Sequence, residues 1–181
     1  MSVLSNTSLR AAISAKRIVI EPLGEDAIQP SSIDLRLGEV MLGRRHFGIV
    51  DPSLGQQDDY SLGAVERSEN GWVLRPGQLY LSSTREYLVV PDDLIAFLHG
   101  RSTLARSGVT VHQQAGLLDA GYQGKPTLEI SVVYPTVLRP EMPIAQVTFH
   151  RLTTAADPVY AGRYQLDRQP TPARLPKLEA S

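Results

Sequence analysis

Short apolar runs cut by turn residues constrain this chain more than any other feature. Trp72-Val73-Leu74, Leu79-Tyr80-Leu81, Tyr87-Leu88-Val89-Val90 and Leu94-Ile95-Ala96-Phe97-Leu98 are punctuated by Pro76-Gly77, Pro91 and Gly100. Ile144-Ala145-Gln146-Val147 follows Pro143 in the same style. Runs this short, bounded by Gly and Pro, suit strands rather than helices. With 14 Gly and 13 Pro in 181 residues, the expectation is one mainly-β domain with a real core. Val73-Leu74-Arg75-Pro76-Gly77 is echoed by Val137-Leu138-Arg139-Pro140-Glu141, each ahead of an apolar strand. Two matched strand-turn-strand corners fit a two-sheet Greek-key or jelly-roll arrangement.

Outside that run the signals are sparser. A helix is expected over 5–16, capped by Ser5 or Asn6, with Leu9, Ala12 and Ile13 as its apolar stripe. A strand is expected over 17–20. In residues 33–37, Ile33, Leu35 and Leu37 alternate with Asp34 and Arg36, the period of a strand. That pattern fits a half-buried strand with a solvated Asp34–Arg36 pair. It also fits a strand turning Ser32, Asp34 and Arg36 toward a site or a neighbouring subunit. Residues 41–71 are weakly periodic, with short strands expected near 39–42 and 47–50 and an exposed loop over 56–60. Beyond Thr153 the chain is rich in Pro and Ala. The stretch after Tyr160 reads as a mobile arm, and the last eight residues as disordered.

Composition narrows the function classes. The formal net charge is −1, so there is no global pull toward nucleic acid or anionic membrane. There is no Cys, which excludes disulfides and thiolate metal sites. His46, His99, His112 and His150 are scattered, none at helical spacing from another, so no metal site of protein ligands is expected. Residues 1–20 lack the long apolar run of a secretory leader or membrane span, which makes the cytoplasm the expected location.

Residues 100–130 concentrate the groups that can carry chemistry. Gly100 leads into Arg101-Ser102-Thr103-Leu104-Ala105-Arg106, which reads as a short helix over 102–107 with Ser102 as its cap. Helix-start amides and two guanidinium groups attract phosphate oxygens. The same residues also fit a capped surface helix with solvated arginines. Gly116, Gly121 and Gly124 surround Asp119, as in a hairpin whose backbone passes close to a ligand. Asp119 can accept from a sugar hydroxyl or orient a water, and Tyr122 can stack on a ring. A plain β-hairpin explains the same pattern. Glu129 sits alone in the apolar strand Leu128 to Ile130. A desolvated carboxylate there can shuttle protons, and an exposed strand Glu is the alternative. A Ser102–His112–Asp119 triad lacks the nucleophile-elbow context and is set aside.

Order and spacing of these segments are more telling than any one of them. The stretches 30–38, 74–94, 100–108, 115–130 and 163–174 together resemble the dCTP deaminase / dUTPase superfamily, closest to its dUMP-forming, bifunctional dCTP deaminases. The resemblance implies a β-clip, or distorted jelly-roll, domain over 1–160 with a short N-terminal helix. It implies a C-terminal arm over 161–181 that closes over the site, and a homotrimer with active sites between subunits. The substrates implied are dCTP and dUTP, with dTTP as an inhibitor. Mg²⁺ is implied as a cofactor held through the phosphates. No nucleic-acid or membrane partner is implied.

The resemblance also assigns roles residue by residue. Arg101, Ser102, Thr103, Leu104, Ala105 and Arg106 would hold the triphosphate. Asp119 would contact the deoxyribose, and Thr127 and Leu128 would read the pyrimidine edge. Gln146, Tyr160 and Arg163 would also bind the nucleotide. Glu129, Ser102, Arg106 and Asp119 would be the catalytic set, with Glu129 moving protons at the cytosine and Ser102 helping to place the water. The activity implied is zinc-independent deamination of dCTP coupled to triphosphate hydrolysis. Gly116 and Leu117 resemble that two-step type, Gly116 by leaving room for a second water. A deaminase releasing dUTP, a dUTPase and a non-catalytic nucleotide-binding regulatory trimer are the alternatives. The chain departs from the family pattern at Gln114, Glu141, Arg163, Asp167 and Gln169, which stand for Thr, Gly, Lys, Gln and Gly.

Overall fold

The computed structural model describes residues 2–44, 60–61, 65–113 and 115–174. The chain opens with α1 (Asn6–Ser14), where the Ser5 hydroxyl caps the helix by accepting from the Ser8 amide at 3.4 Å. Leu9 is fully buried, and Ala12 and Ile13 pack beside it. The first strand, β1 (Val19–Glu21), lies slightly later than the 17–20 expected. Then come β2 (Ile33–Arg44), β3 (Tyr60–Ser61), β4 (Glu66–Ser68), β5 (Gly71–Leu74), β6 (Tyr80–Thr84), β7 (Tyr87–Val89) and β8 (Leu94–Gly100). A five-residue helix, α2 (Ser102–Arg106), separates these from β9 (Val109–Thr110), β10 (Leu117–Leu118) and β11 (Gln123–Gly124). The remaining strands are β12 (Thr127–Val132), β13 (Thr136–Leu138) and β14 (Pro143–Arg151).

The expected mainly-β, distorted jelly-roll domain with a short N-terminal helix is what forms. One antiparallel sheet runs in the order β10-β8-β14-β2-β6-β12-β9, with β3 added on β2. Two three-stranded sheets, β1-β7-β11 and β13-β5-β4, accompany it. β2 organises the large sheet. Ile33–Arg36 pairs with β14, whereas Leu37 to Gly43 pairs with β6. That stagger curls the sheet. The register slips between Leu37 and Met41, and Gly38 sits in the slip. A Cβ at Gly38 would lie 2.9 Å from the Ser83 carbonyl oxygen. Two separate strands were expected over 33–42. A single bulged strand forms instead, because the glycine admits the close approach of β6 without ending the ladder.

Ile33, Leu35 and Leu37 are fully buried, as their alternation implies. Asp34 and Arg36 do not pair with each other. Arg36 donates from its backbone N and its Nε to the two oxygens of Glu86, at 2.8 and 2.7 Å. Asp34 is directly opposite Gln146 on β14 and accepts from its Nε2 at 2.9 Å. The two corner echoes meet in space, since Val73 of β5 pairs with Val137 of β13. Their fifth positions share the left-handed region, Gly77 at φ +78° and Glu141 at φ +64°.

The stretch expected to be a mobile arm is held against the body over 161–174. Leu166 N donates to Gln123 O at 2.7 Å, and Lys125 N donates to Asp167 O at 2.8 Å. The Gln165 amide reaches Gly121 O, and the Arg168 guanidinium lies 4.8 Å from the Tyr87 ring centre. Edge strands with free backbone groups take up hydrogen bonds from a crossing segment in this manner. The strand expected at 47–50, the loop at 56–59, Gln114 and the tail from 175 lie outside the described residues.

Candidate functional site

β12 presents the site. Leu128, Ile130 and Val132 point into the core, so Thr127, Glu129 and Ser131 share the opposite face. This strand alternation is the physical reason an acid sits between two buried aliphatic residues. In front of that face lies a cavity of about 720 Å³, lined among others by His112, Asp119, Thr127, Glu129, Tyr160 and Asp167. The structure therefore brings together Leu117, Asp119, Thr127, Glu129 and Tyr160 from the expected set. Leu128 is fully buried on the other face of β12, so it offers the cavity only backbone.

Asp119 arrives by a route the sequence did not suggest. Residues 116–124 were expected to form a hairpin. β10 instead pairs with β8 and β11 pairs with β7, so the segment crosses from one sheet to another. Its own two strands are too short to satisfy each other's backbone, and longer neighbours offer open edges. Gly116 has a packing reason of its own: a Cβ there would lie 2.8 Å from the Leu98 carbonyl oxygen and 3.4 Å from His112 Cδ2. Glycine is required there for the close approach of β8, whose Leu98 amide donates to Gly116 O at 2.8 Å.

None of Arg101, Ser102, Thr103, Leu104, Ala105 and Arg106 lines this cavity. Ser102 was expected to cap the helix. α2 is capped instead by Arg101, with no side-chain hydrogen bond, and Ser102 is its first residue. Leu104 packs against the core, while Ser102, Thr103, Ala105 and Arg106 are exposed. Arg101 lies 3.3 Å from Asp34, the carboxylate already held by Gln146. These three make a polar cluster across β2, β14 and the end of β8. Arg163, exposed on the arm, donates to Arg174 O at 3.0 Å.

The structure adds residues that patterning missed. His112 Nδ1 lies 3.5 Å from Glu129 Oε2, and the imidazole is only 8% exposed. The contact is within ion-pair reach but is not a hydrogen bond, and both ring nitrogens are buried without a hydrogen-bond partner. No linear motif signals this pair, since it is made by strand register. Asp167 lines the cavity with one oxygen on Arg174 Nη2 at 2.9 Å and the other buried and unpartnered. Burial, then the Asp167 carboxylate, push the Tyr122 phenol far above its usual range, so Tyr122 stays a neutral donor at the cavity wall. Thr171 N donates to the Thr127 hydroxyl at 3.2 Å, which ties the arm to the strand carrying Glu129.

A sequence model of the family described as dCTP deaminase-like matches residues 3–152. A "dCTP deaminase, dUMP-forming" from Parafrankia sp. (strain EAN1pec) is 40% identical over 181 residues, spanning 95% of this chain and 90% of the relative. Another with that description, from Methanopyrus kandleri, is 35% identical, spanning 97% of this chain and 96% of the relative. Among solved structures, the 2'-deoxycytidine 5'-triphosphate deaminase from Agrobacterium tumefaciens superposes with a TM-score of 0.62 at 26% identity. That match covers 83% of this chain and 48% of the solved one, so this chain spans about half its length.

Proposed function

The chain belongs to the dCTP deaminase-like family, and on that premise we propose that it converts dCTP and two waters to dUMP, ammonia and diphosphate. The observation that carries this reading is the placement of Glu129 in the cavity beside Asp119, Thr127 and Tyr160.

In this reading Glu129 takes a proton from a water that adds at C4 of the cytosine. It then returns the proton toward N3 and the leaving amino group, so ammonia departs and a uracil ring remains. Thr127 and the backbone beside Leu128 read the pyrimidine edge, and Ser102 helps to place the water. Asp119 holds the deoxyribose and orients the second water for diphosphate release, and Tyr160 covers the sugar. Arg101 to Arg106 hold the phosphates, where paired guanidinium groups suit a triphosphate. Gln146 and Arg163 complete the nucleotide contacts. Gly116 and Leu117 belong to the two-step type by shaping the strand ahead of Asp119.

The triphosphate enters with Mg²⁺ carried on its own oxygens and water. Among the described residues no cluster of three or more ligating side chains forms, and the oxygen donors near the cavity suit such a shared ion. The phosphate helix does not line the cavity of its own protomer, which favours a homotrimer in which α2 of one subunit completes the site of the next. The body over 1–160 and the arm over 161–181 act as base and cover. dTTP, with the same sugar and phosphates, competes for the same groups, and the cytoplasmic nucleotide pool is the place of action.

The test is incubation with dCTP and Mg²⁺, with ammonia and nucleotide products separated and quantified. The expected outcome is dUMP and ammonia in equal amounts. Absence of ammonia overturns deamination, and accumulation of dUTP without diphosphate overturns the coupled reaction.

A further inference from the structure

We propose that His112 is a positioning residue for Glu129, donating from Nδ1 to the carboxylate and holding it toward the reacting base. This rests on the deaminase reading of the cavity. The pairing follows from strand register. β9 and β12 are antiparallel, with Thr110 opposite Ser131 and Val109 opposite Val132. Carried two residues further, the same register sets His112 opposite Glu129. Just beyond, the Gln113 amide donates to the Ser131 hydroxyl at 3.2 Å, so the two segments stay side by side after the ladder ends.

Among the described residues the imidazole has no hydrogen bond: both of its nitrogens are buried without one, and Glu129 Oε2 lies 3.5 Å from Nδ1. A buried polar ring left unpaired is costly, so a small rotation of the Glu129 side chain that closes this gap is favoured. Glu129 is itself about a third exposed toward the cavity, its side chain at 30%, and can make that rotation. Closing the bond occupies one carboxylate oxygen and leaves the other for the water and N3.

Gly116 belongs to the same device. A Cβ at 116 would lie 3.4 Å from His112 Cδ2 and strike the Leu98 carbonyl at 2.8 Å. The absence of a side chain at 116 leaves the ring its place beside Glu129.

Two replacements separate a donor from a space filler. His112→Leu fills the site without a donor, and His112→Asn puts an amide donor near the Nδ1 position. For His112→Leu the expected result is a fall in kcat for deamination of about 100-fold with KM for dCTP little changed, as for loss of alignment at the reacting centre. His112→Asn is expected to recover most of that loss. Leu at wild-type kcat, or Asn no better than Leu in a folded protein, overturns the proposal. A second measurement is independent of turnover. With ¹⁵N-labelled imidazole, Nδ1 of His112 is expected to show a bonded N–H signal that Glu129→Ala removes. An imidazole spectrum unchanged by Glu129→Ala overturns the pairing, whatever the enzyme does with dCTP. Failure of wild type to release ammonia, with the signal intact, overturns the deaminase reading and leaves the pair standing.

Discussion

At the residue scale, the most informative position is Glu141. It stands in the left-handed region at φ +64°, in the turn that echoes the one holding Gly77. A non-glycine residue there costs about 1 kcal/mol or more. Its side chain meets Arg36 and Arg85, each at 3.1 Å. Half-exposed ion pairs of this kind return about 0–1 kcal/mol each. Glu141→Gly should therefore change stability by less than about 1 kcal/mol in urea unfolding, relief of strain offsetting lost pairs. Glu141→Val loses the pairs and resists the backbone angle, and should cost about 2 kcal/mol. Glu86 is the opposite case. It is 1% exposed, and among the described residues Arg36 is the one side chain that binds it. Arg36→Ala leaves that buried carboxylate without its cation, keeping only the backbone amide of residue 36, and should cost about 3–5 kcal/mol by the same measurement. The alternation over 33–37 was readable, but the partners of Asp34 and Arg36 were not. Glu86 and Gln146 lie 50 and 112 residues from the groups they bind.

At the element scale, β8, β10 and β14 are where patterning and structure part. The strands themselves were legible from their apolar runs. The crossing of 116–124 between sheets was not, because turn residues report a bend without reporting which edge receives the strands that follow. Gly116→Ala tests this contact. It should destabilise by about 1–3 kcal/mol through the clash with Leu98 O, and should lower deamination as well as triphosphate hydrolysis. Loss of hydrolysis alone would instead point to a water-sized space at Gly116. β14 carries a second testable group. His150 bonds Thr148 through Nε2 at 2.9 Å, meets the Phe97 ring edge-on at 5.0 Å, and buries Nδ1 unpartnered. Burial first, then His99, hold its pKa below the usual imidazole value of 6.5. The unfolded chain therefore binds the proton first as pH falls. Stability contributed by neutral His150 is present above pH 6.5 and declines below it, through the depressed folded value. Melting temperature should fall as pH drops below 6.5, and His150→Gln should flatten that slope.

At the scale of the whole molecule, the cavity is covered by the arm but not reached by the helix assigned to phosphate. If neighbouring subunits complete one another, Arg106→Ala and Glu129→Gln should each be inactive alone. Mixed and allowed to exchange, they should regain part of the activity, because a site can then draw Arg106 from one chain and Glu129 from another. No recovery in the mixture would place both groups in a single-chain site. The sequence by itself determined the strand-rich body, the N-terminal helix and the order of segments that marks the family. Those depend on local periodicity, turn chemistry and spacing, which are written along the chain. It also drew attention to Glu129 as a lone acid in an apolar strand, a pattern that plain alternation also explains, while its catalytic role came from the resemblance. Only the tertiary structure decided that His112 backs Glu129, that Gly116 is glycine for Leu98, and that Asp167 faces the cavity with Arg174 beside it. Each is a contact between segments whose adjacency is set by strand register and sheet curl. Packing of the entire fold chooses both, and no window of the chain contains them.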